Sequence, residues 1–436
     1  MRNRHNQALK YGFDCACQPV GGPEICGHPG EQGNMYSREL FLGVHSAPEC
    51  RINRPAGNIR SRGGTIMKFR NVLFLALFAG ILCAPIAVSA QAAAGQSAPG
   101  SDKAGAITLN VVVTDKSGTP VADLQPGDFK LMLDKKHPQE ITSVQAYSGL
   151  GDAATSPDEM ILVFDDVNPD IMTITQEKKQ LIAFLQENGG QLPLPTTLVI
   201  LLEKSAHEGR IDQGGAVVSD KTRDGKVLLD FLNTNITGLN INAFEDGWFG
   251  TVHRETPSLA LLDKLTGWAA KQPGKKLMIW ISPSWRMHAG GNMTNASDND
   301  LKGIFNHVVW YLTQLRVGNT TLYMLDPDNA GSDLTFQTTC QDDYMKGADQ
   351  FRHVDYGHLL LPVLALQSGG QNVWGTNQQV GPSINKFIQD AKAYYVLTFN
   401  PPPAAHPNEF HTIDVQVDKP GLKARTSTIF YAQPAK

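Results

Sequence analysis

From residue 105 onward, two hydrophobic periodicities divide the chain. Ile107–Thr114 alternates apolar with polar positions and is rich in β-branched residues, so it reads as a strand. Lys116-Ser117-Gly118-Thr119-Pro120 reads as a turn, and Asp128–Leu133 and Ile141–Tyr147 as two more strands, making 105–150 a small β unit. After Met160 the pattern changes to continuous apolar runs separated by helical spacing. Met160–Phe164, Thr197–Leu202, Leu277–Ile281, Thr320–Leu325 and Tyr394–Phe399 have the composition of strands buried on both faces. Between them, Thr173 and Gln176 have capping-box spacing ahead of Leu181, Ile182 and Leu185, and Gly189 can close that helix. A helix is expected near Val227–Leu232. Thr256-Pro257 reads as an N-cap with proline at the first helical position, leading into Leu259, Leu262, Leu265 and Ala269. Leu301, Ile304, Phe305, Val308, Leu312 and Leu315 mark a long amphipathic helix, with shorter ones at Leu359–Leu366 and Ser383–Lys392.

Strands alternating with helices over 158–400 predict an α/β fold: a doubly wound, mostly parallel sheet with helices on both faces. The chain closes with His411–Val417, a Lys419-Pro420-Gly421 turn and Thr426–Tyr431, a β-hairpin within 408–432. Neither that hairpin nor the 105–150 unit can bury enough apolar surface alone. The expected solution is that they pack together as one small β domain into which 158–400 is inserted.

The chain has 436 residues, 41% hydrophobic and 18% charged, the composition of a globular protein. Residues 91–436 carry 28 basic and 37 acidic side chains, a net of −9. An acidic body of that size has no footprint for a phosphate backbone, which argues against nucleic acid as a partner. Met67-Lys68-Phe69-Arg70, the apolar run Val72–Val88 and Val88-Ser89-Ala90 form an export signal at 67–90 with cleavage after Ala90. The run is about 17 residues, short of the ~20 that span a bilayer, so a cleaved signal is favoured over an anchor and no membrane span is expected after cleavage. Such a signal cannot work behind 66 residues, so 1–66 reads as an extension from a start site placed too early, and 91–104 as a linker. The mature chain would then keep one cysteine, Cys340, and work in the periplasm or outside the cell without a disulfide framework.

Several local motifs, taken in order, resemble one family. They are Leu124-Gln125-Pro126-Gly127-Asp128-Phe129, Pro273-Gly274-Lys275-Lys276, Ser368-Gly369-Gly370, Tyr394-Tyr395-Val396-Leu397, and His411 through Pro420-Gly421-Leu422-Lys423 to Tyr431. Across residues 105–432 the chain resembles the von Willebrand factor A-related proteins described chiefly from acidobacteria. The resemblance implies a Rossmann-like A-type domain and a protein-binding or adhesion role. It also implies a metal-ion-dependent adhesion site built on Asp-x-Ser-x-Ser, a threonine and an aspartate after the fourth strand. Asp165 matches the first aspartate, but Val167 and Pro169 replace the serines and Ser282-Pro283 replaces the later aspartate. Thr256 is either the site's threonine or simply a helix N-cap. Asp166, Asn168 and Asp170 offer other oxygens. The expectation is a degenerate site at Asp165, Asp166, Asn168, Thr256 and Ser282, with Asp165 the metal ligand if Mg²⁺ or Ca²⁺ binds, and then weakly. The partner would be a protein or another cell-envelope ligand.

An enzyme is the competing class. The sequence has no Gly-x-Ser-x-Gly elbow, His-Glu-x-x-His or phosphate loop. A hydrolase or metal site would have to use the Asp342–His358 loop, where Cys340, Asp342, Asp343, His353, Asp355 and His358 cluster; the plainer reading is a solvated loop. Trp248, Trp285 and Trp374 read either as partner anchors or as loop residues capping the sheet.

Overall fold

The computed structural model describes residues 105–148, 158–202, 215–236, 248–285, 296–327, 341–374 and 379–434. The extension at 1–66, the signal at 67–90, the linker at 91–104 and Cys340 lie outside them. Strands β1 (Ile107–Thr114), β2 (Phe129–Leu133), β3 (His137–Gln139) and β4 (Ile141–Ser148) come first. There follow β5 (Glu159–Asp165), helix α1 (Ile171–Gln186), β6 (Gln191–Leu201), β7 (Ala216–Val218), β8 (Thr222–Asp224), α2 (Gly225–Asn235) and α3 (Trp248–Ala269). Then come β9 (Lys276–Ile281), α4 (Asp298–Val317), β10 (Thr320–Asp326), α5 (Gln341–Tyr344), α6 (Leu361–Gln367), β11 (Asn372–Trp374) and α7 (Val380–Lys392). Strands β12 (Ala393–Phe399), β13 (Glu409–Val417), β14 (Lys423–Arg425) and β15 (Ile429–Ala432) end the chain.

These strands form three sheets, ordered β14-β1-β12-β4, β15-β13-β2-β3 and β11-β10-β9-β5-β6-β7, with β8 on β6. The first two are wholly antiparallel. The third is mixed: β5, β6, β9, β10 and β11 run parallel while β7 and β8 pair antiparallel with β6. Eight of the twelve strand pairings among the described residues are therefore antiparallel. This overturns the expected α/β class, a doubly wound and mostly parallel sheet. The clearest cause is β12. Its run Tyr394–Phe399 has the continuous apolar composition of a parallel strand, yet it lies between β1 and β4, antiparallel to both. It is apolar on both sides because both sides are covered. Tyr395, Leu397 and Phe399 enter a core shared with β1, β2, β13 and β15. Tyr394 and Val396 pack with Val112 and Tyr147 on the opposite face.

The two antiparallel sheets thus pack through one core, in which Leu109, Val111 and Val113 of β1 meet Phe129, Leu131 and Leu133 of β2. Each such side chain contributes roughly 1.5–3 kcal/mol when fully buried. The C-terminal segment supplies part of both layers: β13 pairs with β2, and β14 pairs with β1. The mixed sheet has an apolar layer on each side. Ile161, Val163 and Val199 face α3, α4 and α6, while Met160, Leu162 and Ile200 face α1, α2 and α7.

Two helix starts differ from the sequence reading. Helix α1 is capped by Asp170, whose Oδ1 accepts from the N–H groups of Met172 and Thr173, both at 2.9 Å, so Thr173 lies inside it. Helix α3 begins at Trp248, so Thr256 and Pro257 are internal and Thr256 is not its N-cap.

The N-terminal ends of the parallel strands rest on a buried polar network at the β12 sheet. The fully buried Lys275 donates to the Asp390 carbonyl at 2.8 Å, and its ammonium stands 4.1 Å above the Tyr394 ring. Burial pushes its pKa down to about 8, against the pull of Asp390 and Asp158. Arg425 of β14 pairs with Asp390 at 2.6 Å, and Tyr323 of β10 donates to the same carboxylate at 2.7 Å.

Candidate functional site at the ends of β5 and β9

Chain order reverses at the centre of the mixed sheet. From β5 the chain moves outward to β6, and the next parallel strand, β9, lies on the other side of β5. The carboxyl end of such a switch point is where open sheets place ligands. Asp165, the last residue of β5, sits there fully buried.

Its carboxylate is surrounded by donors. Oδ1 accepts from the backbone N–H groups of Val167 and Asn168, both at 3.0 Å. Oδ2 accepts from Asn168 Nδ2 at 2.7 Å, Ser282 Oγ at 2.8 Å and Trp280 Nε1 at 3.2 Å. The two backbone bonds fold 165–168 into a tight turn that turns the chain from β5 toward α1. Asn168 Nδ2 also donates to Ser258 Oγ of α3 at 2.9 Å, tying the turn to the helix above it. Ser282 Oγ in turn accepts from the Ser284 N–H at 3.2 Å. Ser284 takes a left-handed φ of 80°, uncommon for a serine, and directs the chain into Trp285.

Of the residues expected here, Asp165, Asn168 and Ser282 are brought into direct contact. Asp166 is buried beside them, its N–H donating to the Leu201 carbonyl at 3.0 Å. Asp170 is spent on capping α1, and Val167 is buried in the apolar cluster that includes residues of α3 and α4. Thr256 lies within α3, and its side chain is outside the described residues. Two members of the site, Trp280 and Ser258, escape a reading by periodicity. Trp280 counts as one more apolar residue in a buried strand, although a buried indole N–H needs an acceptor. Asp165 is the acceptor that β5 provides, since the register sets Val163 beside Trp280.

The arrangement does not fit a Mg²⁺ or Ca²⁺ ion. Such cations take six or more oxygen ligands, whereas both Asp165 oxygens face N–H and O–H donors and the Asn168 amide turns its nitrogen toward them. Asn168 Oδ1, buried without a hydrogen-bond partner among the described residues, is a single oxygen. No group of three His, Cys, Asp or Glu side chains among the described residues is placed to hold a metal. Chemically, the site is a rigid hydrogen-bonded plug that fixes the ends of β5 and β9 and the start of α1.

Among the described residues, the Asp342–His358 segment does not converge on a cleft, and the Asp342 side chain lies outside them. His353 is exposed and bonds Asp349 at 2.6 Å, and Asp343 pairs with Lys346 at the surface. His358 is buried, its ring exchanging contacts with the Asp355 backbone in a capping box, and burial lowers its pKa. Trp285 is fully buried, donating to the Leu359 carbonyl at 3.0 Å and meeting Trp280 edge-on at 5.3 Å, so it belongs to the core rather than to a docking surface. Trp374 stays exposed at the end of β11. The side chain of Trp248 lies outside the described residues.

No family model matches the sequence, and no curated protein matches it. Among solved structures, the chain is similar to the crystal structure of the pilus adhesin SpaC from Lactobacillus rhamnosus GG, at 11% identity and a TM-score of 0.26. The match covers 51% of this chain and 32% of the adhesin chain, so this chain spans about a third of that structure's length. A likeness of that size bears on neither the fold nor the function of this protein.

Proposed function

We propose that the protein is an exported, non-enzymatic binding module whose ligand, a protein or another envelope component, docks at the carboxyl-end rim of the mixed sheet without a divalent cation. The observation that carries this reading is the pairing of a locked floor with exposed apolar groups on the same rim. Asp165 and its donors fix the floor. Met172, in the first turn of α1, is 79% exposed, and Trp374, at the end of β11, is 37% exposed. Methionine adapts to varied surfaces and tryptophan is a frequent interface anchor. Export rests on the signal read at 67–90, and the resemblance to A-related proteins agrees with a binding role.

The test is capture from envelope extract by the immobilised mature protein, with EDTA or with Mg²⁺. A partner retained in EDTA and lost from the Met172→Glu, Trp374→Glu double variant supports the reading. Capture that needs Mg²⁺, or that ignores the double variant, contradicts it.

A further inference from the structure

A second feature lies on the α3 side of the mixed sheet, at its β7 edge. Leu261, Lys264, Leu265 and Trp268 follow one another at helical spacing and share one face of α3. Opposite them, Val199 of β6 and Ala216 and Val218 of β7 project from one side of the pleat. Strand β7 is only three residues long and, among the described residues, forms the sheet's edge, so α3 covers β6 but leaves β7 partly open. The result is a groove of about 370 Å³ between helix and sheet. That volume is in the range of small-molecule sites, roughly 300–1,000 Å³.

The groove is graded from floor to mouth. Val199, Leu261 and Leu265 are buried, whereas Val218 is 51% and Trp268 37% exposed at the rim. Lys264 is the one charged residue among the described lining residues. No described hydrogen bond or ion pair holds its ammonium. The adjacent Asp263 is already committed to Trp310 Nε1 at 2.6 Å.

We propose that this groove binds a free aliphatic carboxylate of fatty-acid type, its tail between Val199, Ala216, Leu261 and Leu265 and its carboxylate at Lys264. The mostly apolar walls suit a flexible hydrocarbon tail, and a single cation at the mouth selects a single negative charge. A peptide strand added to the β7 edge and an anionic bilayer are the competing occupants.

The test is calorimetry of the full chain with laurate below its micellar range, dodecyltrimethylammonium and dodecanol. Laurate is expected to bind one to one and more tightly than the oppositely charged amphiphile. Lys264→Gln, at an exposed helix position, should weaken laurate about fivefold, the share of one partly exposed ion pair, and leave dodecanol unchanged. Ala216→Phe should fill the groove and abolish binding of both; Val218→Asp, at an exposed position, should weaken both even if the phenylalanine variant does not fold. The proposal is overturned by absent or non-saturating laurate binding, by equal affinity for the cationic amphiphile, or by unchanged affinity in Lys264→Gln. Binding to anionic vesicles alone, or unaltered laurate binding in folded Ala216→Phe, overturns it equally.

Discussion

Trp280 donates its indole N–H to Asp165 Oδ2 across 3.2 Å, joining the adjacent parallel strands β9 and β5 at the centre of the mixed sheet. It is one of five donors that hold a buried carboxylate within the protein's own structure. A hydrogen bond to a charged group is worth about 1.5–3 kcal/mol. Trp280→Phe should therefore cost about 2 kcal/mol in urea unfolding. In an Asp165→Asn background the same change should cost less, because the charge it serves is gone, and a double-mutant cycle measures that coupling. A cycle with zero coupling would mean the indole acts only through packing.

Asp170 offers a contrast on the next turn of chain. Its carboxylate is committed to the N–H groups of Met172 and Thr173 and caps α1. Asp170→Ala should cost about 1 kcal/mol as a lost N-cap, while Asp170→Asn should cost much less because an amide oxygen also caps. Both are read by thermal unfolding. Equal losses in the two variants would point to the charge rather than the cap.

The buried Lys275 gives stability a pH signature. Its ammonium titrates near 8 in the fold, because burial disfavours the charge, against an ordinary value of 10.5. Between those values the unfolded chain binds more protons than the folded one, so stability should rise as pH increases from about 8 toward 10. Lys276, also lowered to about 8 by burial, adds to the same slope. Tyr394, whose phenol is raised by burial, acts oppositely above pH 10. Lys275→Met should reduce the rise, and a slope identical to that of the wild type would contradict this account.

The terminal strands are structurally shared. Because β13 pairs with β2 and β14 with β1, a chain ending at Pro401 loses one neighbour of each and uncovers Phe129 and Leu131. Hydrogen exchange of residues 107–133 should accelerate throughout in that truncation. Unchanged protection there would show that β1 and β2 are stable without the C-terminal strands.

Most individual elements were legible in the sequence, because strands and helices show their own periods. The placement of β12 was not. A run such as Tyr394–Phe399 records only that both faces are buried, and a parallel strand between helices and an antiparallel strand inside a β-layered domain satisfy that equally well. The start of α3 was hidden because Thr256-Pro257 has the form of a cap, whereas the helix passes through it. At the candidate site, Asp165, Asp166, Asn168 and Ser282 were legible only through the resemblance to the A-related proteins. Trp280 was not, since its apolar ring masks the one N–H that matters. His358 and Trp285 had the composition of functional residues, yet burial and local hydrogen bonds account for both.

Asp165 is satisfied by internal donors, so the fold should need no cation there. The direct measurement is the thermal unfolding of residues 91–436 with and without Mg²⁺ or Ca²⁺ at about one hundred times the dissociation constant of a functional site. Binding to the folded state alone would then add about 2.7 kcal/mol. An unchanged midpoint is expected with either ion. A midpoint raised by several degrees in the wild type, and not in Asp165→Asn, would contradict it.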